Sequence, residues 1–159
     1  MTHLPARPIA TVTTLSHVDL EVTDLERSIA FYQRVLGLDI FDDDRTHPNK
    51  PSIKGLVGDF AIELHQNLIA QGKSVARDGA TPAASPCLSF SIENAEFAFA
   101  QLKGLGHVTA DAITQAQGVK MFFVDDPDGY VFELIQFPSS FRTLADLAPI
   151  LRSSGEAEA

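Results

Sequence analysis

His17 and Glu63 stand 46 residues apart, and Cys87 and Glu133 repeat that spacing. An imidazole, a thiol and two carboxylates are donor groups for divalent metals, so potential ligands recur at equivalent places in two copies of one pattern. His17 opens the strand-like run LSHVDLEV and Glu63 closes AIELHQ; Cys87 lies in PCLSFSIE and Glu133 in YVFELIQF. A stretch with helical spacing follows the first member of each pair. The sequence therefore reads as two βαβββ units offset by 70 residues.

Strand alternation decides which way these side chains must face. Val18, Leu20 and Val22, Ile62 and Leu64, Leu88, Phe90 and Ile92, and Phe132 and Leu134 share one parity and are all apolar, as a face packed on helices requires. The opposite parity carries His17, Asp19 and Glu21, Glu63 and His65, Cys87, Ser89 and Ser91, and Glu133 between Val131 and Ile135. Those four strands show no Lys or Arg on that side, which reads as the lining of a polar cavity. The helix of the first unit is expected to start with a capping box formed by Thr23 and Glu26, to bury Leu25, Ile29, Tyr32 and Leu36, and to end at Gly37. A weaker helix is expected from Asn94 to Lys103, ended by Gly104 or Gly106. DDPDGY has the Pro and Gly of a tight hairpin turn, and Asp128 and Gly129 are read as turn residues without chemistry.

Around these units the chain divides into a flexible arm over residues 1–12, a domain over 13–137 and a C-terminal helix with an acidic tail over 138–159. Within the domain, 13–66 is module one, 67–85 an Ala-, Gly-, Ser- and Pro-rich linker, and 86–137 module two. The acidic stretch 41–51 reads as a loop; its three aspartates lack the spacing of an EF-hand. A chain of 159 residues, 45% hydrophobic, can bury one sizeable core. A formal charge of −9 argues against nucleic acid or an anionic membrane as partner. One cysteine cannot form an internal disulfide, and neither a signal peptide nor a membrane span is legible, so a cytoplasmic location is expected.

The runs HVDLEVTDLERSIAFYQRVLGL and DDPDGYVFELIQ carry a resemblance to the vicinal oxygen chelate superfamily over about residues 13–137. Its members include glyoxalase I, extradiol dioxygenases, methylmalonyl-CoA epimerase and the fosfomycin and bleomycin resistance proteins. The resemblance implies an α+β fold in which two βαβββ modules form curled mixed sheets around a central cavity. It also implies one divalent ion, Zn, Ni, Co, Mn or Fe, held by His17, Glu63, Cys87 and Glu133, and a homodimer acting on a small molecule. Cys87 departs from the family, whose enzymes usually carry His at that place.

Each of these residues also has a plainer reading. His17 could be a hydrogen-bonded barrel residue, Glu63 a solvated edge carboxylate and Cys87 a packed apolar side chain. Glu133, between Phe132 and Leu134, needs a cation or donor to offset its burial. Asp19, His65 and Ser89 are expected in the cavity wall, with Asp19 and Glu21 as partners of His17 or rim residues. The function implied is a glyoxalase-like lyase, isomerase or epimerase acting on vicinal oxygens, with Glu63 or Glu133 moving the proton. An extradiol Fe(II) dioxygenase is the alternative within enzymes, although only one His occupies a ligand place. A metal-free small-molecule binding or antibiotic-resistance protein is the alternative outside them.

Overall fold

The computed structural model describes residues 14–67, 87–116, 118–138, 141–143 and 145–146. Module one consists of β1 (His17–Val22), α1 (Leu25–Leu36), β2 (Asp39–Asp44), β3 (Ser52–Val57) and β4 (Phe60–Gln66). Module two repeats it with β5 (Leu88–Ser91), α2 (Ala95–Gly104), β6 (Thr114–Ala116), β7 (Val119–Asp125) and β8 (Val131–Gln136). Each forms a four-stranded mixed sheet, in the orders β1-β4-β3-β2 and β5-β8-β7-β6, with the outer pair parallel and the rest antiparallel. Neither sheet closes on itself. The expected arm and linker, most of the C-terminal helix and the tail lie outside the described residues.

The offset of 70 holds at the level of single hydrogen bonds. Asp24 and Asn94 are the helix N-caps, accepting from the backbone N–H of Arg27 and Phe97 at 3.1 and 2.9 Å. Gln66 and Gln136, which end the last strand of each module, accept from the N–H of Leu25 and Ala95. These carboxamides satisfy donors that a helix start leaves open. Asp24 therefore takes the capping place expected for Thr23, because the Thr23 hydroxyl is engaged elsewhere. Gly37 closes α1 at φ 69°, a left-handed conformation that costs glycine no Cβ clash.

One core runs through both modules. Val22, Ile62 and Leu64 of the first sheet and Val124, Phe132 and Leu134 of the second are buried with Leu25, Ile29 and Tyr32 of α1. The expected apolar parity thus faces the helices. Helix α1 also packs onto module two, where the Phe31 ring meets Phe132 edge-on at 6.1 Å. Gly55 is required where β3 passes β2, because a Cβ there would lie 2.7 Å from Leu38 Cδ1 and 2.8 Å from the Asp39 carbonyl oxygen.

Two local expectations change. Residues 41–44 of the acidic stretch are not loop but the outer part of edge strand β2. Their charges are matched by neighbours: Lys54, directly opposite Asp42, bonds it at 2.5 Å, and Arg45 bridges Asp43 and Glu26. Cross-strand pairing thus relieves the repulsion that made the stretch look like a solvated turn. Asp128 is more than a turn residue. It is fully buried and accepts from Thr23 N–H at 3.0 Å, Thr23 Oγ1 at 2.5 Å, Ser28 Oγ at 2.9 Å and Arg27 Nη2 at 2.9 Å. Beside it, Tyr32 donates to Asp126 Oδ2 at 2.9 Å. The β7–β8 turn is therefore bolted to the start of α1.

Candidate metal centre

The four proposed donors are carried in matching registers. In the first sheet Asp19 lies opposite Glu63, which leaves His17 one same-face step away on β1; in the second Ser89 lies opposite Glu133, with Cys87 one step before it. His17 and Cys87 are exposed, and Glu63 and Glu133 are partly buried, all at the parity opposite the core. Each module thus presents one pair. The single chain does not bring the two pairs together: among the described residues no three His, Cys, Asp or Glu side chains form a group able to hold a metal ion.

Every donor has a neighbour that sets its chemistry. Glu63, with a side chain 12% exposed, accepts from Lys50 Nζ at 3.1 Å. Ser89 Oγ donates to Glu133 Oε2 at 2.5 Å. The His17 ring shares a 3.0 Å hydrogen bond between Nδ1 and Ser16 Oγ. Asp19 does not partner His17; its Oδ1 accepts from His65 Nδ1 at 2.5 Å, which fixes the ring and leaves Nε2 outside that bond. Partial desolvation, followed by the adjacent Glu133 carboxylate, pushes the Cys87 thiol above its ordinary range. Cys87 is exposed rather than packed, so it is not a core residue in this chain.

The sheet also differs from the cation-free lining expected from four strands. Lys54 of β3 stands opposite Glu63 in register, and Lys50 reaches Glu63 from the loop before it. Strand parity extended to β3 and β7 could have found Lys54, as well as Phe123, which stands opposite Glu133. Lys50 depends on the path of a loop and carried no such signal. Ile135, assigned by parity to the polar side, is buried.

Residues 14–134 match the family described as the Glyoxalase/Bleomycin resistance protein/Dioxygenase superfamily. The chain belongs to this superfamily. It is 32% identical over 140 residues to the lactoylglutathione lyase of Salmonella typhimurium, covering 83% of this chain and 98% of that one. The Escherichia coli O157:H7 lactoylglutathione lyase is 31% identical over the same length and shares. Among solved folds, a glyoxylase/bleomycin resistance protein/dioxygenase domain from Frankia has a TM-score of 0.64 at 20% identity, covering 82% of this chain and 96% of that one. A fosfomycin resistance protein from Listeria monocytogenes, complexed with Mn(II) and sulfate, has a TM-score of 0.60 at 21% identity, covering 81% and 96%. The full-length relatives are enzymes, and the solved neighbours share the two-module fold. No helix among the described residues of this superfamily member is long and apolar enough to cross a membrane.

The donor types present suit a divalent cation. One imidazole, two carboxylates and a thiol match the ligand chemistry of Zn, Ni, Co, Mn or Fe, and the second-sheet carboxylate is held by a hydroxyl as ligating carboxylates commonly are.

Proposed function

We propose that this protein is a divalent-metal lyase, isomerase or epimerase that moves a proton on a small molecule bearing two adjacent oxygens. The observation that carries the reading is the matched pair of half-sites, His17 with Glu63 and Cys87 with Glu133, in equivalent registers on two open sheets. A single chain leaves these halves apart, so we assign the complete centre to a homodimer in which module one of each copy meets module two of the other. A bound divalent ion would supply Lewis acidity toward the two oxygens.

The side chains do the rest. Glu63 or Glu133 takes the proton from carbon and returns it. Lys50 Nζ donates to Glu63 until substrate or cation competes for it. His65, fixed through Nδ1 by Asp19, can hold a proton at Nε2. Ser89 orients Glu133. A cytoplasmic setting keeps Cys87 a thiol, in this reading. Lactoylglutathione lyase relatives of matching length support lyase or isomerase chemistry over a dioxygenase.

Metal analysis of tag-free protein tests this, with a stoichiometric ion expected. Glu133→Ala should lose the ion and the activity while its circular dichroism stays unchanged; full metal retention would remove Glu133 from the site. Refolding His17→Ala together with Glu133→Ala should recover metal that neither variant holds alone, because one of the two sites in the mixed dimer is then intact. No recovery would show that each chain builds its own site.

A further inference from the structure

We infer that the loop over residues 45–51 is a gate on the first half-site: Lys50 competes with the divalent ion for Glu63, and His47 is the positioning residue that holds Lys50 there. This rests on the metal-centre reading proposed above. The Glu63 side chain is only 12% exposed, and a carboxylate so covered needs a cation or donors to offset its lost hydration. Lys50 Nζ supplies the cation, 3.1 Å from Oε1. In the second sheet the equivalent Glu133 accepts from the neutral Ser89 hydroxyl.

Module one carries a connection long enough to deliver this lysine. In module two β6 and β7 are joined through positions 117–118, whereas β2 and β3 are joined through 45–51. Both ends of the longer connection are pinned: Arg45 bridges Asp43 and Glu26 at its start, and the Pro51 carbonyl accepts from Gln66 N–H at 2.9 Å at its end. Between them His47 Nδ1 accepts from the N–H groups of Asn49 at 3.2 Å and Lys50 at 2.9 Å, while His47 N–H donates to the Asp44 carbonyl at 3.1 Å. Pro48 and Pro51 have no backbone donor, so one imidazole nitrogen orders both N–H groups that lie between the prolines. The Lys50 backbone is thereby fixed where its side chain reaches Glu63.

The Lys50 side chain is 51% exposed, and an ion pair with one partner in solvent is weak enough for a divalent ion to displace. The contact therefore offsets the Glu63 charge in metal-free protein without closing the site for good. A lysine that stayed on Glu63 would do the opposite, orienting the carboxylate as a ligand and strengthening metal binding. The sign of one substitution separates the two roles. Lys54, across from Glu63 in register but bonded to Asp42, provides the control for charge alone.

The test is calorimetric titration of metal-depleted, tag-free full-length protein with Zn(II). Lys50→Met should bind Zn(II) a few-fold more tightly than wild type, and Lys50→Arg, which keeps the competitor, should match wild type. Lys54→Met makes the same change in net charge and should gain less. His47→Ala should move the affinity part of the way toward that of Lys50→Met and add nothing in the Lys50→Met background. His47→Asn, whose side-chain oxygen can accept from the same two amides, should bind as wild type does. Unchanged or weaker binding by Lys50→Met, or an equal gain in Lys54→Met, overturns the gate and leaves the metal reading in place. A His47→Ala effect that persists in Lys50→Met, or no rescue by His47→Asn, overturns the positioning role of His47. No Zn(II) uptake by wild type and Lys50→Met alike overturns the gate and the metal reading together.

Discussion

Module one and module two share a backbone plan, N-caps and terminal glutamines, yet the β7–β8 turn of module two is held to the start of α1 by a polar knot that the repeat does not reproduce. Thr23, just before α1, and Arg27 and Ser28 of α1 converge on Asp128; their counterparts 70 residues on are Glu93, Phe97 and Ala98, and the counterpart of Asp128 is Gly58. Phe97, at the place of Arg27, is 66% exposed. The repeat has kept what every βαβββ unit needs, helix caps and strand register. It has diverged wherever a module faces something other than itself. The two sheet faces differ too, with Lys54 across from Glu63 and Phe123 across from Glu133.

The largest effect should come from the knot. Asp128→Ala leaves Thr23 and Ser28 buried without their acceptor and Arg27 without its counter-ion, and should cost about 3–5 kcal/mol in chemical denaturation. Phe97→Ala, at the place in module two that matches Arg27, should stay within about 0.5 kcal/mol. Similar losses in the two variants would mean that the modules are held alike and the asymmetry is only apparent.

A smaller effect is expected at Gly55, whose place by register is taken in module two by Val124; Gly55 lies opposite Ile62 and Val124 opposite Phe132. Gly55→Ala forces its methyl into Leu38 and the Asp39 carbonyl, so it should destabilise by about 1–3 kcal/mol. An unchanged denaturation midpoint would show that module one has the slack of module two there.

The knot also predicts a pH dependence. Burial, opposed by the hydrogen bonds from Tyr32 and two backbone N–H groups, raises the Asp126 carboxyl above the usual carboxylate range. Its protonated form is therefore favoured in the folded protein. The contribution of Asp126 to stability is complete below the carboxylate range of the unfolded chain and is lost as pH rises toward the higher folded value. Asp126→Asn should flatten the stability profile over that window, with little change below it. A wild-type slope retained by the variant would assign the titration to another group.

The smallest effect concerns the second half-site. Because Glu133 is a secondary cause of the raised Cys87 thiol, after desolvation, Glu133→Gln should speed alkylation of chelator-treated protein a few-fold at neutral pH. Equal rates would separate Cys87 from Glu133 and weaken the second pair as a unit.

What the amino-acid order determined by itself was the repeat, the helices, the apolar parity of the strands and the set of candidate donors. These follow from periods of two and 3.6 residues and from spacing, which any chain expresses locally. Parity was misleading at Ile135, which is buried on the side assigned to the cavity, and charge density made β2 look like a loop, since the matching Lys54 lies on the next strand. Only the tertiary structure decided the partners: Asp19 with His65 instead of His17, Thr23 with Asp128 instead of its own helix, Lys50 on Glu63. It alone also showed that, among the described residues, no three of the candidate donors converge. The physical reason is that a carboxylate accepts from whichever donor the fold brings within about 3 Å, and for Asp128 that donor lies 105 residues away. Periodicity reports which face a side chain takes; it carries no information on which distant element will cover that face.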